Sequence, residues 1–571
     1  MRSRWLVVLL AAGLSSGCAV ISSGGPTTEL PKGPAAPLSK PYHRMIATSP
    51  QPGWVPTQVV QGLQAAMAAV DDPSWQVLKK YLTQEKQQTW KPNVPITVLD
   101  QVNIKESETP PNSPVKVVEI SGKKVADLFE DGRYVPTQQQ PFNTRLSLVK
   151  SGDSFRVSEV FDGLVLSEAD LERAYRQTNL YYLNRARAAD LVVPDPVWLR
   201  IDPKVDLVRT IVERLIKGPS AALAGAVHSA IPQGARLDSV KEVEERIVMD
   251  FAPGFHVDSQ DEGALRAQLA GSLNDIAKGK TIEVTVGGEP SFTVNPQDAG
   301  AYTPDTPGQA YYVDGGVLYA EQDKDPGKPV EGPAGQKSDL YEDYAISQNQ
   351  PFVAARGKSG GIWVAGTTVD ARWEEWIKGA DLTPPVWNRD GTLWTVNKST
   401  SEVIVYRPKE QQHVITIAAP SLKSGVQQLK PARDGVRVAA VTLDSNGGHV
   451  SVGAYNGQMI GNFQPVLTVT PDQTIRSITW SDSTHLYVLV DLPKSGVAVK
   501  KIDLAEGTTE SVTPQPDKNT KIIAASGNRL LAGVQDPNSV QGALLEWKDG
   551  KDWEQVKKIT DIKGMPLFPS G

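Results

Sequence analysis

Asp390-Gly391-Thr392-Leu393-Trp394-Thr395-Val396 runs from a tight polar turn straight into an apolar strand. The phrase returns as Asp434-Gly435-Val436-Arg437-Val438-Ala439-Ala440 and as Asp482-Ser483-Thr484-His485-Leu486-Tyr487-Val488. Looser copies stand at Asp314-Gly315-Gly316-Val317-Leu318-Tyr319, at Gln348-Asn349-Gln350-Pro351-Phe352-Val353-Ala354 and at Gly527-Asn528-Arg529-Leu530-Leu531-Ala532. The turns at 314, 349, 390, 434, 482 and 527 are 35 to 48 residues apart. A repeat of that length holds about four short strands, too few to bury both faces of a sheet, so such units close radially into a β-propeller. The sequence predicts a propeller over 310–571 with about six blades, five and seven remaining open. An open β-solenoid is the competing reading of the period.

Working outward, 571 residues exceed what one core organises, and three or four folded units are expected. Hydrophobic residues at 40% and charged residues at 22% are ordinary for packed globular protein, while 48 glycines and 43 prolines favour strands and turns over a helical bundle. The formal net charge is −6, so no basic field neutralises a phosphate backbone, and nucleic acid is not an expected partner.

Upstream of the repeat, Val205, Val208, Ile211, Val212, Leu215 and Ile216 fall on one face of a helix that Asp202-Pro203 opens and Gly218-Pro219 ends. Ile247, Met249 and Phe251 alternate as a strand, Leu265, Leu269, Leu273 and Ile276 follow helical spacing, and Ile282, Val284 and Val286 form a strand ending at Gly287-Gly288. The result is a small α/β sandwich over 196–300. Further upstream, Val60, Leu63, Met67 and Val70 mark a helix, and Asp72 caps a second one with Pro73 at its first position. Strands follow over 95–99, 115–120, 144–149 and 155–160, and the capping box Ser167-Glu168-Ala169-Asp170 starts a helix through about Tyr182. Region 53–195 therefore reads as α+β, with Trp75, Tyr81, Trp90, Tyr181 and Tyr182 assigned to its core rather than to a ligand cone.

The chain opens with Met1-Arg2-Ser3-Arg4, then the apolar run Trp5–Leu14, then Ser15-Ser16-Gly17-Cys18. Ten apolar residues fall short of the ~20 that span a bilayer, and a basic head with an apolar middle is a secretory signal over 1–17. Cys18 is the only cysteine, which excludes an internal disulfide and a cysteine metal cluster. Segment 18–52 carries prolines at 26, 31, 34, 37, 41, 50 and 52 and reads as an extended tether reaching about 90 Å at ~3.1 Å per residue.

No His-Glu-x-x-His or Gly-x-Ser-x-Gly occurs, and the histidines at 43, 228, 256, 413, 449 and 485 show no metal-pair spacing. Ser113/Lys116, Ser121/Lys124 and Ser147/Lys150 match a loose Ser-x-x-Lys pattern by chance. Gly279-Lys280-Thr281 reads as a helix-to-strand turn rather than a phosphate loop, and Asp323-Lys324-Asp325-Pro326-Gly327 as a solvated turn rather than half a calcium loop. Trp373 and Trp376 in Arg372-Trp373-Glu374-Glu375-Trp376 are assigned to blade packing. No catalytic, cofactor-binding or metal-binding residue is expected.

Several stretches carry resemblances. Small residues before the lone Cys18 resemble the bacterial lipoprotein signal, although Ser15 stands where that signal prefers leucine. The resemblance implies lipidation at Cys18 (palmitate among the acyl groups) and a lipid anchor in the cell membrane. Two acyl chains at ~0.8 kcal/mol per buried CH₂ suffice for stable anchoring. Helices followed by a curved sheet are similar to cystatin- or NTF2-like domains. Leu215-Ile216-Lys217-Gly218-Pro219, Ser229-Ala230-Ile231-Pro232-Gln233-Gly234-Ala235, Val248-Met249-Asp250-Phe251 and Gln268-Leu269-Ala270-Gly271-Ser272-Leu273 resemble the GerMN module of spore-germination lipoproteins. Signal, tether, NTF2-like domain, GerMN module and propeller in that order resemble the actinobacterial LpqB-type lipoproteins. This resemblance implies an extracytoplasmic accessory protein, not an enzyme, that touches the MtrB sensor histidine kinase and adjusts an MtrA–MtrB two-component system, with envelope homeostasis and division downstream. The propeller or the GerMN face is the expected contact surface. The rival from another class is an envelope polysaccharide-active enzyme using two carboxylates in the propeller funnel, ~5 to 9 Å apart. A solute-binding lipoprotein is a third reading, disfavoured because such receptors build two α/β lobes.

Overall fold

The computed structural model describes residues 47–570, apart from 73, 93–94, 111–112, 186–190, 202–204, 305–307, 323–326, 411–412, 536–541, 549–551 and 560–564. The signal, Cys18 and most of the tether lie outside the described residues, as do Asp202-Pro203 and most of the 323–327 turn.

The first unit wraps a six-stranded sheet around helix Pro56–Met67. Two long strands, Val115–Leu128 and Tyr134–Ser151, form its spine, and the buried helix face of Val59, Val60, Leu63, Ala66 and Met67 packs on the sheet. The cap expected at Asp72 is corrected: the helix begins at Gln76 with Trp75 as its N-cap, Pro73 lies outside the described residues, and Asp72 serves the first turn from further upstream. Its carboxylate accepts from the backbone N–H of Gln76 and Val77, each at 2.7 Å. Tyr81, Trp90 and Tyr182 are buried, so these aromatics pack and line no cone.

The helix predicted through Tyr182 is corrected. It spans only Glu168–Ala174, and Tyr175–Asn184 is a strand paired with Val192–Arg200. The stretch is rich in tyrosine, and Leu180 and Tyr182 alternate inward, so period two wins over helical continuation. Leu180, Tyr182, Val193 and Val197 enter the second unit's core.

In the second unit, helix Leu207–Ile216 starts later than predicted. Asp206, not Asp202, is its cap, accepting from Val208 N at 2.7 Å, and Val205 precedes the helix. The sheet runs Leu237–Val243, Arg246–Phe251, Thr281–Val286, Glu289–Val294, with its central pair parallel. Ile247, Met249, Ile282 and Val284 bury one face beneath that helix and helix Glu262–Ala277. The other face sets Lys241, Val248, Glu283 and Thr293 side by side, half-buried or exposed.

The third unit is a six-bladed propeller, each blade a four-stranded antiparallel sheet. The inner strands of blades 2 to 6 are Tyr341–Ile346, Val386–Trp387, Val426–Pro431, Thr474–Trp480 and Thr520–Ser526. Blade 1 is built from both ends of the unit: Tyr311–Asp314, Val317–Ala320 and Lys328–Pro329 come first, and the inner strand Met565–Leu567 arrives last. Val313 pairs Met565 and Tyr311 pairs Leu567, which latches the ring. Six apolar clusters fill the six gaps between neighbouring blades, so the ring is closed and not a solenoid. The latch also explains the short first repeat interval. The turn after Asp314 joins the second and third strands of its blade, whereas the other five join first and second strands.

Candidate functional site

Three of the five first-to-second-strand turns, in blades 3, 4 and 5, use one chemical device. Asp390, Asp434 and Asp482 each accept, through Oδ1, the backbone N–H two residues on, at 3.0, 2.9 and 2.8 Å. An aspartate that satisfies its own turn fixes the strand entry. It also leaves the next side chains to face whatever lies above the ring, and in blades 4 and 5 that is the other two units.

Arg437 of blade 4 pairs with Asp434, Nη1 to Oδ2 at 2.8 Å, and donates its other arm to the Pro194 carbonyl of the second unit. Asn184 donates to the Asp434 carbonyl, and Val436 and Ala454 belong to the second unit's apolar core. The first unit joins at the same place. Tyr134 packs 5.8 Å from Trp198 and lies so close to Gly507 of blade 5 that a Cβ there would sit 2.6 Å from its ring. Arg214 donates to the Asp131 carbonyl at 2.7 Å, and the Asp131 carboxylate accepts from Ala221 N at 2.9 Å. Asp195 is buried at the centre, bonded to the Ser220 N–H and Oγ, each at 2.7 Å. Burial pushes its carboxyl above the usual carboxylate range, against the Ser220 bonds and the charges of Arg437 and Arg214. The three units are thus welded at one junction.

Below the junction in blade 5, His485 lies between two carboxylates: Nδ1 to Asp482 at 2.8 Å and Nε2 to Asp503 at 3.2 Å. The hydrogen bonds to Asp482 and then Asp503 raise the imidazole to about 9, so it is a cation at neutral pH. Burial pushes the Asp482 carboxyl up, but the bonds from His485 and the Thr484 N–H outweigh this and bring it to about 2.

The axial channel is a concavity of about 430 Å³ lined by the inner strands of all six blades. Two tryptophans brace it: Trp387 Nε1 donates to Ala345 O at 3.2 Å and Trp480 Nε1 to Lys430 O at 2.8 Å, each on the preceding blade. Among the described residues lining it, Asp343 is the one carboxylate, and it is held by Arg356 Nε at 2.8 Å. The two-carboxylate funnel that glycoside hydrolysis requires is not assembled there. No group of three or more His, Cys, Asp or Glu side chains converges on a metal position among the described residues.

The remaining motifs have structural roles. Lys278 and Gly279 adopt positive φ between helix and strand, making Gly279-Lys280-Thr281 a turn. Lys124 pairs with Asp127, and Ser113 bonds the Val115 carbonyl, so these two Ser-x-x-Lys matches build no acyl-transfer site. Trp373 stacks 4.3 Å from Tyr341 and Trp376 4.2 Å from Tyr406, within and between blades.

Comparison with known proteins agrees with this order of units. Residues 49–172 match the family described as lipoprotein LpqB, N-terminal domain, and residues 316–569 match the lipoprotein LpqB beta-propeller domain. The chain belongs to the LpqB lipoprotein family. Between those matches, residues 179–292 fit the sporulation and spore germination family. The match begins within the Tyr175–Asn184 strand that enters the second core. Lipoprotein LpqB of Thermobifida fusca is 25% identical, over 95% of this chain and 96% of that protein. The Streptomyces coelicolor protein of the same name is also 25% identical, over 99% and 96%. Rhodococcus jostii lipoprotein LpqB is 24% identical, over 99% and 97%.

Sequence reading missed the junction residues of this LpqB-family chain altogether. Arg437 and Pro194 are far apart in sequence, and nothing in the local pattern around either announces the other. It also missed the channel cations. The one available signal was charge in strands that must be innermost, as in Gln428-Leu429-Lys430.

Proposed function

We propose that this chain is a lipid-anchored protein on the extracytoplasmic face of the cell membrane. It is held there through Cys18, and it binds the sensor domain of an MtrB-type histidine kinase and biases an MtrA–MtrB-type two-component system. It acts by contact and not by catalysis. The observation that carries this reading is the welded junction within an LpqB-family chain. Three units fixed by Arg437, Asn184 and Tyr134 present a large surface of constant shape, which discriminates between two states of a partner. Such a modulator needs little energy: ~1.4 kcal/mol of differential affinity shifts a two-state partner about tenfold. The propeller and the open sheet face around Lys241, Val248 and Glu283 are the surfaces offered. Among the described residues no helix is long and apolar enough to cross a membrane.

The test is affinity capture of the membrane-bound full chain after brief crosslinking, with the neighbours identified by mass spectrometry. Recovery of a sensor kinase, lost when the kinase's outer domain is deleted, supports the proposal. Repeated capture without any sensor kinase, together with glycan turnover by the pure protein, overturns it.

A further inference from the structure

The channel concentrates positive charge. Its charged lining among the described residues is Asp343, Lys430, Arg433, Arg476 and Lys521. Two of these are answered locally: Asp343 by Arg356, and Arg476 by Asp491 at 2.7 Å. Three cations remain.

Arg433 is 8% exposed and spans the end of the channel nearest the other units. It donates to Pro569 O at 3.1 Å and Ala525 O at 3.3 Å, while its Nε is buried with no partner. Carbonyl oxygens orient a guanidinium without neutralising it. Lys430 lies deeper in the channel, half-buried, with no hydrogen bond or ion pair to its ammonium among the described residues. Burial lowers its proton affinity below the usual lysine range, opposed by the charge of Asp343. Burial and the neighbouring Arg389 likewise bring Arg433 down to about 10, against the pull of Asp482. Lys521, at the start of the blade 6 inner strand, marks the far mouth and is exposed.

A half-buried ammonium whose nearby carboxylate, Asp343, is already held by Arg356 is poorly compensated, and a ligand anion relieves it. The space of about 430 Å³ falls in the range of small-molecule sites, roughly 300 to 1,000 Å³. We propose that the propeller channel binds a small solute bearing carboxylate or phosphate groups, with Lys430 and Arg433 as its charge partners and the Lys521 mouth as its entry.

The test is calorimetric titration of the full mature chain at low salt with citrate and, separately, inorganic phosphate. One equivalent of either probe is expected to bind. Preference for citrate assigns a carboxylate ligand, and preference for phosphate a phosphate ligand. Lys430→Met should weaken binding at least about tenfold, Lys430→Arg should largely retain it, and Lys521→Met should weaken it about twofold. Should Lys430→Met not fold, wild-type protein carrying ¹³C-dimethylated lysines provides the second readout: the Lys430 resonance should titrate at higher pH with probe bound. No binding of either probe, equal binding by Lys430→Met, or a Lys430 resonance indifferent to a bound probe overturns the proposal.

Discussion

Arg437 and Asp434 form an ion pair at 2.8 Å whose side chains are only 6% and 0% exposed, and the same guanidinium holds the Pro194 carbonyl 243 residues away. One arginine thus neutralises a buried carboxylate of the propeller and anchors a different unit.

Arg437→Met should therefore do more than loosen a contact. Asp434 keeps its two backbone donors, Val436 N and Arg437 N, but loses its counter-charge while its own side chain stays fully buried. Breaking one side of such a pair costs about 3 kcal/mol. Urea unfolding followed by tryptophan fluorescence measures the loss, and limited proteolysis should newly cut the 175–200 hairpin. Unchanged unfolding and protection would show that the junction is held elsewhere.

The His485 sandwich predicts a two-sided pH profile. The imidazole's folded-state value is raised from 6.5 to about 9, so its contribution is complete below pH 6.5 and is lost as pH climbs through 9. Asp482 is lowered from 3.8 to about 2, so its contribution is complete above pH 3.8 and lost as pH falls through 2. Propeller stability should be flat between these limits and decline on both sides. With solvent screening, each limb is worth about 1 kcal/mol. His485→Gln should flatten the alkaline limb of a melting-temperature series run from pH 6 to pH 9.5.

Stopping the chain after residue 564 removes the inner strand of blade 1 together with Phe568, which packs between blades 6 and 1. Two neighbouring apolar gaps then lose a wall, a loss on the order of 5 kcal/mol and a large part of a domain's stability. The sharp propeller transition should broaden or vanish in a thermal scan, while the first unit's transition persists. A truncated protein that melts like the full chain would refute the latch.

Cys18→Ala addresses the anchor. The variant should appear in the soluble fraction or stay unprocessed with its signal attached, as judged by fractionation and intact mass. Undiminished membrane retention of a processed form would count against lipidation at that residue.

What the sequence displayed and what it hid divide along a physical line. Three of the six turn phrases were plain to see because an aspartate that caps its own turn is a local event, complete within four residues, as at Asp390, Asp434 and Asp482; the others carry only the polar or glycine turn before an apolar strand. The blade count followed from all six, although the first phrase sits one strand out of step because the chain's end supplies that blade's inner strand. Local reading failed where a longer-range partner decided the outcome. Tyr175–Asn184 follows a good helix start and becomes a strand because Val192–Arg200 pairs with it and the second core takes its apolar side. The helix at Leu207 follows Asp206, whose carboxylate accepts from the Val208 N–H in its first turn. Lys430 resembled any polar residue of an exposed strand; only six strands drawn around one axis bring it into the channel.

The latch at Val313 and Met565 imposes an order on biosynthesis. A ribosome delivers the final strand of the ring last, after every other blade has emerged, so no nascent propeller can seal itself early. Until those last residues arrive, blade 1 shows a bare strand edge and two raw apolar walls, the surfaces that holding chaperones and proteases recognise. A propeller chain cut short before Met565 therefore keeps that edge and those walls on display, and quality control reads the missing strand as damage.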